Sequence, residues 1–216
     1  MSGRTAEDSL MLYRLAATTL TVCLYAQMPA GAQTVRDMAK QSAPGPVTIS
    51  TGCECPAVTL EALASGADIV VQGIVKPLKT YLSSDERDLL TDYLVTPTRI
   101  FLQRIAPTAA AGQAPSIVLT RRGGTAVIEG VQVTVADRSV PPLIAGDEYI
   151  LFLRLDRERT GTFRDVSAWA GTWGVTGGMV QLLEPGIYGE TFGRVRGIAV
   201  NRLEAELRAR PESKPR

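Results

Sequence analysis

Cys53 and Cys55 are the residues of this chain with the most reactive chemistry, and one residue separates them. In an oxidising compartment they could pair with each other, although so short a ring strains disulfide geometry. Strained disulfides are the more oxidising ones, which makes a thiol/disulfide role one reading of the pair. Structural or intermolecular pairing is the competing reading, because no thioredoxin-like βαβ setting surrounds the motif.

Histidine is absent from the chain. Neither a Ser-His-Asp nor a Cys-His relay can be assembled without it. An imidazole zinc site is also excluded, and two thiols are too few for a thiolate zinc cage. Acid–base work near neutral pH would fall on a shifted carboxylate or lysine. The expectation is a protein that is not an enzyme, with no catalytic residue, no metal ligand and no cofactor.

Three other groupings have a functional and a plain reading. Trp169 and Trp173, with Tyr188 and Phe192 nearby, could form an aromatic surface that stacks sugars or bases, or could close a barrel end over the core. Asp85-Glu86-Arg87-Asp88 could hold calcium, yet it lacks the glycine and regular oxygen spacing of a calcium loop, so a solvated turn is expected. Arg121-Arg122 before Gly123-Gly124 reads as a charged hairpin tip in preference to an anion site.

The elements that must position these residues begin with an export signal. Arg14 precedes an apolar run from Leu15 to Tyr25, and Ala30-Gly31-Ala32 ends it with small residues. This is the layout of a signal peptide cleaved after Ala32, leaving Gln33 first in the mature chain. Gln27 and Pro29 stop the run short of the roughly 20 apolar residues a membrane span needs, so no span is expected in the mature form. Cys23 follows valine inside the run, which argues against a lipid anchor. Met11 offers an alternative start to Met1. The expected location is periplasmic or secreted.

The 216-residue chain has a formal net charge of +1, and removing 1–32 does not change it. Nucleic-acid binding rests on phosphate neutralisation, so nucleic acid is not an expected partner. Residues 33–57, rich in proline, glycine, serine and threonine, are predicted to be a flexible linker. A β-barrel domain with a C-terminal helix is predicted over 58–210, and a disordered tail over 211–216.

Within that domain Thr59 is predicted to cap a short helix with Leu60 and Leu63 inward. Ile69 to Val75 reads as a central strand with Gly73 marking a bulge or close approach, and 79–88 as a polar connection. Tyr93 to Leu102 follows, with Pro97 at a bulge or an edge. Further strands are expected at 117–119, 126–128, 131–135, 149–155, 163–169, 172–175 and 179–183, with hairpin turns at Glu129-Gly130 and Thr176-Gly177-Gly178. Ala199 to Arg210 places Val200, Leu203 and Leu207 on one face of an amphipathic helix. The fold class predicted is mainly β: a small antiparallel OB-like barrel with a short N-terminal helix and a C-terminal amphipathic helix.

The order Cys53-Glu54-Cys55-Pro56, short helix, Ala67-Asp68-Ile69-Val70-Val71-Gln72-Gly73-Ile74-Val75, and later Gly146-Asp147-Glu148-Tyr149-Ile150-Leu151-Phe152-Leu153 resembles the N-terminal domain of tissue inhibitors of metalloproteinases and netrin-like modules. It is also similar to a group of uncharacterised exported bacterial proteins. The resemblance spans roughly 53–183 and implies an OB-type barrel. In the inhibitors the first cysteine of the Cys-x-Cys is the mature N-terminus and its free amine caps the enzyme's zinc. Cys53 is the matching position, but it lies well past Gln33, so its nitrogen is an amide unless the chain is cut before it. The function expected is an exported, non-catalytic module binding another protein through loops at one barrel end. The alternatives are an envelope thiol/disulfide protein using Cys53/Cys55 and, after a cut at Cys53, a metalloproteinase-inhibitor-like protein.

Overall fold

A computed structural model describes residues 33–52, 58–105, 116–183, 192 and 195–209. In chain order its elements are α1 (Val35–Ser42), β1 (Val47–Thr51), α2 (Leu60–Gly66), β2 (Ile69–Leu82), β3 (Leu89–Gln103), β4 (Ile117–Arg122), β5 (Gly124–Ile128), β6 (Val131–Asp137), β7 (Glu148–Leu155), β8 (Thr162–Asp165), β9 (Thr172–Thr176), β10 (Met179–Leu182) and α3 (Val200–Arg208). The chain is mainly β.

The larger sheet runs β10-β9-β7-β2-β3-β4-β8, and a further pairing of β8 with β7 joins five of its strands into a ring. Going round, β7, β2, β3 and β4 pair antiparallel, β4 and β8 pair parallel, and β8 returns antiparallel to β7. Every strand of the ring sends side chains into one apolar cluster: Val71 and Val75, Tyr93 and Val95, Ile117 and Leu119, Leu151 and Leu153, and Phe163. Strand residues alternate between faces, so this shared cluster is the ring's interior.

Two long strands turn the corner between faces. Val75, Pro77 and Lys79 of β2 stand opposite Val95, Tyr93 and Asp92 of β3, with register shifts at Val70/Val71, Gln72/Gly73 and Pro77/Lys79. Each shift bends the pair and re-aims the side chains beyond it. Gly73 lies opposite Pro97, and a Cβ there would come within 2.8 Å of the Thr96 carbonyl oxygen and of Val95 Cγ1. Pro97 is tolerated because β4 pairs with β3 only from Leu90 to Val95, so the proline's other side has no ladder to supply. The polar connection predicted over 79–88 is shorter: β2 continues to Leu82, and only 83–88 turn.

A second core lies outside the ring. Val70, Ile150 and Phe152 point away from the interior and meet Leu60 and Leu63 of α2, Val200, Leu203 and Leu207 of α3, and Trp173. Helix α2 starts as predicted, with the Thr59 hydroxyl accepting from Ala62 N at 3.2 Å. The 163–169 strand ends early, at Asp165, because 166–171 turn so that Trp169, Ala170 and Trp173 enter this core.

The linker predicted over 33–57 is corrected for 33–52; residues 53–57 lie outside the described ones. Thr34 and Asp37 form a capping box at the start of α1. Strand β1 pairs in parallel with β6 from Val47↔Val133 to Thr51↔Asp137. Together β1, β6 and β5 make a three-stranded sheet. Val35 and Ala39 of α1 bury against Val131, Val133 and Val135 of β6 and Leu89 of β3. Arg36 reinforces this packing by pairing with Glu86 at 3.0 Å and Glu129 at 2.5 Å, both residues in left-handed turns. Among the described residues no helix is long and apolar enough to cross a membrane.

Candidate functional site

The site is built from polar side chains that the strand alternation turns outward from the ring. On β3 Tyr93 faces in and Asp92 therefore faces out; on β4 Arg121 faces in and Thr120 out. Asp92 and Thr120 are register partners. Tyr81 comes from the last turn-side residues of β2, and Arg159 from the loop between β7 and β8.

These four groups converge on one carboxylate. Tyr81 donates to Asp92 Oδ1 at 2.9 Å and Thr120 at 2.7 Å. Arg159 spans both oxygens, Nη1 to Oδ1 at 3.0 Å and Nη2 to Oδ2 at 3.2 Å, and its Nη1 also meets Thr120 Oγ1 and the Tyr81 hydroxyl. The Tyr81 ring has Lys79 Nζ 5.1 Å and the Arg159 guanidinium 5.2 Å from its centroid, both within cation–π range. Asp92 is 3% exposed, whereas the side chains of Arg159 and Lys79 are 32% and 66% exposed. The carboxylate is thus the buried anchor and the two cations form the accessible rim.

The electrostatics follow from this geometry. Burial pushes the Asp92 carboxyl up, but hydrogen bonds from Arg159, Thr120 and Tyr81 outweigh it, and the net shift is downward. The Tyr81 phenol is pushed up to about 12, by burial first and then by its bond to the Asp92 carboxylate. Both groups are held further from neutrality than free side chains, so neither is suited to moving a proton at ordinary pH. The arrangement is suited to presenting a fixed charged surface.

A second carboxylate–guanidinium pair lies on the other side of the same strands. Arg121 Nε is 2.9 Å from Asp165 Oδ2, with both side chains buried. Arg121 Nη1 donates to the Pro141 carbonyl at 3.1 Å and Nη2 to that of Ala168 at 3.3 Å, while the Thr172 hydroxyl donates to Asp165 Oδ1 at 2.9 Å. Here burial dominates and raises the Asp165 carboxyl, against the pull of Arg121.

Of the residues singled out in the sequence, Cys53 and Cys55 lie outside the described residues. Trp173 is 0% and Trp169 6% exposed, so neither indole presents a stacking face. Trp173 instead packs between Phe152 and Phe192, with ring centroids 4.8 and 5.5 Å away, and donates Nε1 to the Ala170 carbonyl at 2.9 Å. The aromatic surface is thereby corrected to core packing: the apolar outer faces of β7 and β9 have to be covered, and these rings cover them. In the acidic loop, Asp85 accepts from the Ser83 hydroxyl at 2.6 Å and from Arg87 N at 3.2 Å, closing its own turn. Arg122 is exposed and bound to Asp88 at 2.6 Å, but its neighbour Arg121 is buried, which separates the predicted basic tip into two unrelated residues.

Sequence reasoning missed Tyr81, Asp92, Thr120 and Arg159. Three strands and a loop bring them together, and no short motif links them. The one available signal was Asp92, a charged residue next to the apolar run that opens at Tyr93 and within the strand itself. No protein-family model matches the chain, and no curated protein matches it in sequence.

Proposed function

We propose that the protein is an exported, non-catalytic binding domain on a netrin-like, OB-type barrel, and that its partner is another protein. The observation that carries this reading is the placement of the Asp92 cluster. Taken in chain order the ring strands are β2, β3, β4, β7 and β8, and they close in the order first, second, third, fifth, fourth. A five-stranded Greek-key ring is the OB architecture, whose ligands bind on the second and third strands and on the loops joining the first to the second and the fourth to the fifth. Asp92 and Thr120 stand on the second and third strands, Tyr81 at the end of the first strand beside its connection to the second, and Arg159 in the last connection.

Such faces also take oligonucleotides and oligosaccharides. A nucleic acid is disfavoured by the near-neutral charge of the chain and by a carboxylate at the centre of the face. A protein surface suits a rim of two cations and one phenol over a fixed anion, since charged rims of this kind set partner choice and encounter rate. Export after Ala32 remains part of the proposal, supported by the Arg14 to Ala32 layout.

The inhibitor-like alternative requires a cut between Gly52 and Cys53. That cut falls one residue past β1, which five register pairs hold to β6, and would leave α1 and β1 as a separate bound fragment. The test is photo-crosslinking in a native envelope fraction, with the crosslinker placed at position 79 and, as a control, at the exposed position 127. A discrete protein adduct at 79 and none at 127 is expected. Adducts that are equal at the two positions, or binding of an oligosaccharide array that needs Arg159, would overturn the reading.

A further inference from the structure

Arg121 ends inside the protein with more donors than the described residues use. A guanidinium carries five N–H donors. Asp165 Oδ2 lies 2.9 Å from Nε without accepting a well-directed hydrogen bond from it, and the Pro141 and Ala168 carbonyls take one donor from each terminal nitrogen, which leaves two more donors, one on each terminal nitrogen. Arg121 is 6% exposed, so those two donors are shielded from bulk water. A buried, under-satisfied guanidinium is costly, and a polar ligand or water that reaches it relieves the cost.

The structure provides a place for that ligand. Arg121 lines a cavity of about 190 Å³ between the end of the ring and the small sheet. Tyr93, Gly123, Val135, Val140 and Pro142 form the apolar part of its wall, and the Thr125 and Thr134 hydroxyls beside them bond each other at 2.9 Å. Two other charged residues border it, and both are engaged: Arg122 with Asp88 at 2.6 Å, and Asp137 with Ser139 N at 2.9 Å. One buried cation therefore faces an apolar chamber. The small-sheet side is open at Ala136 and Pro142, which are exposed.

We infer that this cavity is a binding site for a short-chain monocarboxylate, whose carboxylate takes the two spare donors of Arg121 and whose tail fills the apolar wall. Burial raises the Asp165 carboxyl against the pull of Arg121, so Asp165 holds Arg121 less strongly than an exposed carboxylate would. A phosphate is disfavoured, since it would bring a second negative charge to a chamber whose one buried cation already stands beside Asp165. The site lies on the inner side of β3 and β4 and is independent of the partner surface on their outer side.

The test is an NMR titration of the backbone amides with butyrate, and in parallel with butyramide, its uncharged isostere. Butyrate is expected to shift the amides around Gly123 and Val135 saturably, with a Kd on the order of 1 mM. Butyramide should bind at least about tenfold more weakly, because it loses the charge-assisted bonds. Ala136→Trp, at the exposed rim, should abolish the butyrate shifts while the remaining spectrum stays folded. Pro142→Trp serves the same purpose if that variant does not fold. Equal binding of the two compounds, butyrate shifts that survive the blocked rim, or no saturable shift at all would each overturn the site, the last showing that water alone satisfies Arg121.

Discussion

Asp92–Arg159 and Asp165–Arg121 are the same chemical pair, set on the two sides of the same pair of strands, and they differ in almost everything that follows from burial. Asp92 accepts from a phenol, a hydroxyl and both ends of a guanidinium, so its charge is over-satisfied and its carboxyl moves down. Asp165 has one hydroxyl and one guanidinium side chain deep in the protein, and its carboxyl moves up. A carboxylate's neighbours decide its charge only when they supply more than desolvation removes. On the outer side they do, with solvent near the Arg159 rim. On the inner side they do not.

The difference can be broken most severely on the inner side. Asp165→Asn leaves Arg121 charged and without its counter-ion, and a guanidinium does not deprotonate. It should cost about 3–5 kcal/mol in urea unfolding at neutral pH. Arg121→Met should cost less at low pH than at high pH, because Asp165 then takes a proton and buries as a neutral acid. Its destabilisation should shrink as pH falls through the raised folded pKa of Asp165, and a loss that is flat with pH would contradict the upward shift.

Smaller losses are expected on the outer side. Arg159→Ala should destabilise by about 1–2 kcal/mol, since Tyr81 and Thr120 still satisfy Asp92 and solvent reaches the gap. The pH dependence should run the opposite way: Asp92's folded pKa lies below its unfolded value, so its contribution is present above the ordinary carboxylate range and is lost as pH falls through the folded pKa. Tyr81→Phe should cost less still, about 1 kcal/mol, and in a spectrophotometric titration should remove the phenol that ionises near 12. An ordinary titration midpoint for Tyr81 would show that its burial beside Asp92 is absent in solution.

The third arginine pair extends the comparison to the surface. Arg36 reaches Glu86 and Glu129 with all three side chains more than a third exposed. Arg36→Ala should have the smallest effect of the set, detectable at low ionic strength and erased by added salt, as thermal melts at two salt concentrations would show.

Much of the architecture was legible because it is local. Glu129-Gly130 and Gly177-Gly178 mark two-residue hairpins and hold the positive φ values that such turns demand. Val200, Leu203 and Leu207 are the buried face of α3, and Thr59 caps α2. Residues 33–52 carried readable signals as well: Thr34 and Asp37 at capping-box spacing, and the alternation Val47-Thr48-Ile49-Ser50-Thr51. Their proline- and glycine-rich context outweighed these in the reading, and the deciding fact was non-local, namely that β6 has an edge for β1 to join.

Most strands of the larger sheet, their turns and helices α2 and α3 were set by the sequence itself, through period-two and period-3.6 apolar patterning and through residues that permit left-handed turns. The absence of histidine likewise restricted the chemistry before any fold was known. Only the tertiary structure decided what Trp169 and Trp173 do, since an aromatic residue's spacing is the same whether it faces solvent or a helix. It alone decided the two Arg–Asp pairs too. Asp92 and Arg159 are far apart in the chain, as are Arg121 and Asp165, and their charges depend on how many donors and how much water the closed ring leaves around each. Spacing carries no record of burial or of hydrogen-bond partners, and these decide that one carboxylate moves down and the other up.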